Sequence, residues 1–95
     1  MKQKYIIRCD LAGVFYGEIV ERRGSEADLA NVRRIHGWDG ACSLSQLAME
    51  GCKKTGGNNR HSMVVPAMTV LGVIEVIPVS AEARENLDAM PVWKI

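Results

Sequence analysis

Cysteine is scarce in this 95-residue chain, aromatic residues make up 5% of it, and no apolar run is long. The three cysteines, Cys9, Cys42 and Cys52, form an odd set with no framework spacing. That excludes a disulfide scaffold and points to a reducing, intracellular setting. The longest apolar stretch, Met63 to Ile74, is broken by Pro66, Thr69 and Gly72 and ends at Glu75. A membrane-spanning helix takes roughly 20 apolar residues, so no membrane contact is expected. Near the start, Tyr5-Ile6-Ile7 is stopped by Arg8 and Asp10, too short for a signal-peptide core, and a cytoplasmic location is expected.

Charge of one sign is lacking too. Twelve Lys and Arg stand against eleven Asp and Glu, a formal net charge of +1. A nucleic-acid coat carries a larger basic excess, so nucleic acid is not an expected partner. With 47% hydrophobic residues the chain is also too apolar for disorder. Residues 1–95 make one domain, which buries roughly 60–65% of the surface of its unfolded form. That margin is thin enough for a homo-oligomer to be expected.

Lys4–Arg8 and Val14–Arg22 read as strands, separated by a break at Asp10–Gly13. In the second, Phe15, Gly17, Ile19 and Glu21 share one face, and Gly17 marks a bulge or a close backbone approach. Arg23-Gly24-Ser25 is a turn. Leu29–His36 alternates imperfectly and reads as a third strand paired through that turn, although Ser25-Glu26-Ala27-Asp28 also permits a short helix start. Ser43-Leu44-Ser45-Gln46 fits a capping box, with Leu44, Leu47 and Ala48 on one helical face and Gly51 ending the helix in the left-handed conformation. Lys53–Ser62 reads as a polar, mobile surface loop. Thr69–Ile77, apolar on both faces, reads as a central strand, and Pro78 closes it. Ser80 caps a second helix over about Ala81–Ala89, and Pro91–Ile95 follows as an extended tail. The fold class expected is α+β: a small, mainly antiparallel sheet or half-open barrel with two short helices.

The stretch Trp38-Asp39-Gly40-Ala41-Cys42-Ser43-Leu44-Ser45-Gln46-Leu47-Ala48 resembles the signature of a family of small tailed-phage and prophage proteins of unknown function. Its members carry a basic step before a Trp-(Asp/Ser)-Gly-Ala turn, a place filled here by Arg33-Arg34-Ile35-His36-Gly37-Trp38. The likeness continues through Val73–Val79 and ends at Pro91-Val92-Trp93. His36-Gly37 departs from the aromatics usual before the Trp, and Gly56-Gly57-Asn58-Asn59-Arg60-His61 replaces a connection containing Pro and Phe. The resemblance implies a phage origin, a shared fold and, with it, the cytoplasm of an infected bacterial host. It implies no catalytic residues.

Between Arg22 and Arg60 seven basic residues stand against four acidic ones, whereas Glu75–Asp88 holds four acidic and one basic. Guanidinium forks beside an indole suit a phosphate and a base together. Arg33, Arg34, His36, Trp38, Asp39 and Arg60 are therefore the candidate ligand-binding residues. Against this stands a plain structural reading: solvated arginines, Trp38 as a core plug, and Asp39-Gly40 as an Asx-turn with a positive φ. Met49, Met63, Met68 and Met90 read as core filling rather than a partner groove. Cys42, Cys52, His36 and His61 lack the C-x-x-C and H-x-x-x-H spacings of a metal site, so neither metal nor cofactor is expected. Cys42 at a helix start, with His36 or His61 as base, is permitted as a nucleophile but fixed by nothing in the sequence. The function expected is non-catalytic: a phage accessory protein that binds an anionic nucleotide-type ligand, such as a signalling nucleotide of host defence. The alternative is a protein–protein interaction module that inhibits a host defence or CRISPR component.

Overall fold

Strand-forming residues at Tyr5-Ile6-Ile7 and Val14-Phe15-Tyr16 begin an antiparallel meander. In the computed structural model, which describes residues 2–52 and 58–95, these become β1 (Tyr5–Cys9) and β2 (Gly13–Arg23). A turn at Gly24-Ser25 leads into β3 (Glu26–Gly37), the third strand, rather than a helix. Helix α1 (Leu44–Glu50), β4 (Arg60–His61), β5 (Val65–Val70), β6 (Val73–Pro78) and α2 (Ala81–Asp88) complete the chain. The six-stranded sheet runs β4-β3-β2-β1-β6, with β5 also paired to β3, and it is open: a small α+β fold. The expectations attached to Lys53, Lys54 and Gly56-Gly57 lie outside the described residues.

The long β2–β3 hairpin is bent by two irregularities. Tyr16 pairs with Arg33, but Glu18 pairs with Ala30, so β3 spends one extra residue opposite Gly17. Asn31 takes φ 47° there, and a methyl on Gly17 would stand 2.8 Å from both Cα and Cβ of Val32. Both readings of Gly17, bulge and close approach, hold. The extra residue changes which side chains point which way. Before it, Ala27 and Leu29 enter the cluster of Ile7, Phe15, Val32 and Val70; after it, Ile35 joins Ile6, Tyr16, Leu47 and Leu87 on the other face. The single alternation read across Leu29–His36 is therefore broken in the middle.

The expected central strand over Thr69–Ile77 does not exist as one piece. Leu71 and Gly72 interrupt it, with Gly72 at φ 74°, a backbone conformation that Gly adopts without steric cost. The segment before the break pairs with β3 and the segment after it with β1. Continuous hydrophobicity hid a turn whose flanking strands serve opposite ends of the sheet. The turn is tied at both sides: Asp10 N–H donates to Gly72 O at 2.8 Å, and Val73 N–H to Ser25 O at 2.8 Å. These bonds draw the ends of the sheet toward each other as a half-open barrel around the Phe15 cluster.

The other face is covered by the two helices. Ser43 Oγ accepts from Gln46 N–H, as the capping box requires, while the Gln46 side chain reaches back one residue further, to Cys42 N–H. Gly51 follows with φ 77° but ψ −165°, a positive φ outside the left-handed helical region expected. Ser80 caps α2 and also donates to Met49 O, fastening the start of one helix to the end of the other. The Asn86 amide exchanges two hydrogen bonds with the backbone of Cys52. Tyr16 O–H and Lys4 Nζ both donate to Asp88 Oδ1, at 2.7 and 2.8 Å. Met68 and Met90 pack into or against the core, but Met49 and Met63 are about half exposed, at 48% and 52%.

Gly17→Ala is expected to cost about 2–3 kcal/mol, the scale of overpacking in a tight interior, because the obstruction is backbone and cannot rotate away. The denaturant midpoint falls while the slope stays constant; an unchanged midpoint would show that β2 and β3 do not touch there.

Candidate functional site

The face change at Asn31 separates two arginines that are adjacent in sequence. Arg33 points into the helical layer and is 3% exposed. Its Nε donates to Ser62 O at 2.9 Å, Nη1 to Met90 O at 3.0 Å and Leu87 O at 3.3 Å, and Nη2 to His61 O at 3.4 Å. Two of these acceptors lie at or beyond the end of α2, where the helix presents unbonded carbonyls and the negative end of its dipole. The guanidinium is thus a structural clamp joining β3, the β4 segment and the end of α2. Burial lowers its pKa below the ordinary value, an effect opposed by the Asp88 and Tyr16 charges.

Arg34 lies on the opposite face. Its guanidinium carbon stands 4.8 Å from the centre of the Phe15 ring, a cation–π geometry. Arg33, Arg34 and Trp38, expected to bind a ligand together, do not form one site, because the sheet lies between the two guanidinium groups. Trp38 packs against the Tyr16–Leu47 cluster and donates from Nε1 to Ala41 O at 3.2 Å, the core-plug reading. Asp39 does not form a local Asx-turn. Its Oδ2 accepts from Asn58 N–H at 3.0 Å, and its own N–H donates to Asn59 Oδ1 at 2.9 Å. Gly40 supplies the expected positive φ, 83°.

Two other candidates do meet, around a residue that was not singled out. Trp93 is 51% exposed, with the Arg60 guanidinium carbon 5.4 Å from its ring centre and the His36 ring at 5.3 Å, inclined by 56°. The tail is held there by a parallel bridge between His61 and Val92 and by Trp93 N–H donating to His61 O at 2.8 Å. The sequence signal was available: a Trp in a tail otherwise free of core periodicity, together with the likeness ending at Pro91-Val92-Trp93. The pairing of that tail with β4 was not legible, because Arg60-His61 reads as loop.

His61 itself is fully buried, which corrects its place in a mobile surface loop. Its Nε2 is 3.8 Å from Cys52 Sγ, and among the described residues its Nδ1 has no partner. Burial and the Arg33 charge lower the imidazole to about 4. Burial and the Asp39 charge push the Cys52 thiol up to about 11. The two are neutral together near pH 7, without the thiolate–imidazolium polarity of a nucleophilic pair. Cys42, the cysteine read as a permitted nucleophile, is exposed. Among the described residues no group of three or more His, Cys, Asp or Glu side chains is arranged to hold a metal ion, and no helix is long and apolar enough to cross a membrane.

The family described as Domain of unknown function (DUF6948) matches residues 2–87, and the chain belongs to that family. No curated protein matches the chain, and no solved structure does.

Arg33→Ala leaves four carbonyls without their charged donor and is expected to cost about 3 kcal/mol or more. Arg33→Lys should recover less than half of this, since an ammonium cannot reproduce the planar fork; full recovery in thermal or urea melts would reduce the clamp to a simple charge. The low His61 pKa makes the unfolded chain, titrating near pH 6.5, bind a proton before the folded one does. Stability is therefore complete above about pH 6.5 and falls as pH drops toward 4, by an upper bound of about 3 kcal/mol. His61→Leu should flatten urea-midpoint profiles in that window, and a slope equal to wild type would place the titration elsewhere.

Proposed function

We propose that this member of the DUF6948 family is a non-catalytic binding module for an anionic nucleotide-type ligand, seated on Trp93, Arg60 and His36. The observation that carries this reading is the half-exposed Trp93 indole, flanked by the Arg60 guanidinium and the His36 ring. An indole offers a stacking surface to any base, and a guanidinium at its border offers paired donors to a phosphate. Arg60 makes no ion pair among the described residues, so its charge is available to a ligand. Asp39, tied to Asn58 and Asn59, steadies the segment that carries Arg60. The resemblance of residues 38–48 to phage proteins extends the proposal. The protein would act in the cytoplasm of an infected bacterium, as a homo-oligomer, sequestering a signalling nucleotide of host defence.

A second reading, a protein interface that inhibits a host defence or CRISPR component, is favoured by the apolar exposure of the same tail, Val92 at 45% and Trp93 at 51%. Calorimetry of the folded protein against cyclic and linear nucleotides separates the two. The nucleotide reading expects micromolar binding, recovery of the nucleotide unchanged, and weakening of tenfold or more in Trp93→Ala and Arg60→Ala. Absence of heat with every nucleotide, alongside a stoichiometric protein partner lost on Trp93→Ala, would replace it with the interface reading.

A further inference from the structure

We propose a second ligand site, built from residues other than those around Trp93: a cleft for a small amphipathic anion, with a carboxylate or phosphate head on Arg34 and an apolar body along β5. It is independent of the Trp93 site, sharing no residue with it. The cleft has a volume of about 550 Å³ and lies between the β1–β2 turn (Asp10, Leu11, Ala12), the end of β5 (Met68, Thr69, Val70) and the Leu71-Gly72 break, with Arg34 as its cation.

Three features select the ligand class. Most of the lining is apolar, as in sites that enclose a hydrocarbon or aromatic body. Arg34 Nε is buried and has no hydrogen-bond partner among the described residues. A buried donor of this kind is costly unless something accepts from it. Arg34 also makes no ion pair among the described residues, whereas Arg23 holds Glu21, Glu26 and Asp28, and Arg8 reaches Glu75. The Phe15 ring beneath the guanidinium supports its plane and holds it against the sheet, leaving its N–H edge for a planar, two-oxygen acceptor.

Two carboxyl-bearing or hydroxyl groups share the cleft and shape what fits. The Thr69 hydroxyl is already committed, donating to Asp28 Oδ1 at 2.7 Å. Asp10, exposed at the rim, would attract a cation, so a cationic amphipath of equal length is the proper competitor. The mouth is bordered by Leu11 and Leu71, exposed at 96% and 64%, two apolar side chains that a bound alkyl or aryl group would cover.

The test uses octanoate, octylamine and octanol on the full chain, followed by ¹⁵N-resolved NMR. Octanoate is expected to bind with a dissociation constant of about 1 mM or below. It should shift the Arg34 Nε–Hε resonance and the amides of Asp10–Ala12 and Met68–Gly72, and bind at least tenfold tighter than octylamine or octanol. Arg34→Met keeps an unbranched apolar stem over Phe15 and should lose that preference. Leu71→Glu, a change at an exposed position that leaves the core intact, should weaken octanoate by tenfold or more through like charge. Octyl phosphate in place of octanoate reports whether the head is read as a carboxylate or a phosphate; tighter binding of either one assigns the head group. Equal affinity for octanoate and octylamine, or shifts confined to other surfaces, would overturn the proposal.

Discussion

Val32 crosses the bare Cα of Gly17, and most of this molecule's arrangement follows from that contact. A β-carbon at residue 17 would hold the two strands apart and remove the room for the extra residue on β3. With that residue in place, the inward-facing set on β3 shifts by one. Arg33 is thereby delivered to the helical layer and Arg34 to the inside of the curl. A regular hairpin would have kept Leu29 and Ile35 in one cluster; here they belong to two. The same irregularity bends a hairpin of eleven- and twelve-residue strands enough for its tip at Ser25 to reach Val73.

The buried Arg33 then works as a hub whose hydrogen bonds, among the described residues, all go to backbone carbonyls. It holds the carbonyls of His61 and Ser62, and so the short β4 segment, against the end of α2. His61 in turn accepts from Trp93 N–H and bridges Val92. One interior cation therefore stands behind the position of the exposed tail. Satisfying a buried charge only with backbone carbonyls adds little net stability compared with an apolar residue, but it penalises any arrangement that leaves those acceptors elsewhere. Burial keeps His61 neutral near pH 7, and the Arg33 charge acts in the same direction.

The distribution of used and unused charge separates scaffold from ligand surface. Asp88 gathers Lys4, Tyr16 and Arg84, and Arg23 gathers three carboxylates at the hairpin tip. Burial raises Asp88, but the hydrogen bonds from Lys4 and Tyr16 and the charges of Lys4 and Arg84 prevail, so its carboxyl sits below the ordinary value. Arg34 and Arg60 are held by aromatic rings instead of acids. A guanidinium on a ring keeps its hydrogen-bonding edge free, which is why these two positions, rather than the most basic stretch of the sequence, carry the binding proposals.

Local chemistry settled a great deal before any tertiary contact was considered. Strand-forming side chains around Tyr5 and Phe15, the Gly24 turn, the Ser43 and Ser80 caps and the α+β class all follow from interactions within a few residues, and they appear where expected. Gly17 announced an exception without saying what it permitted. What only the tertiary structure decided were the facts that depend on distant partners. They include the side on which each arginine lies, the division of Thr69–Ile77 between β3 and β1, the burial of His61 inside a polar stretch, and the use of Trp93 rather than Trp38 as the exposed ring. Periodicity assumes that a strand keeps its phase and that a run of apolar residues has one neighbour on each side. One extra residue at Asn31 and one positive φ at Gly72 break those assumptions, and neither leaves a trace in hydrophobicity.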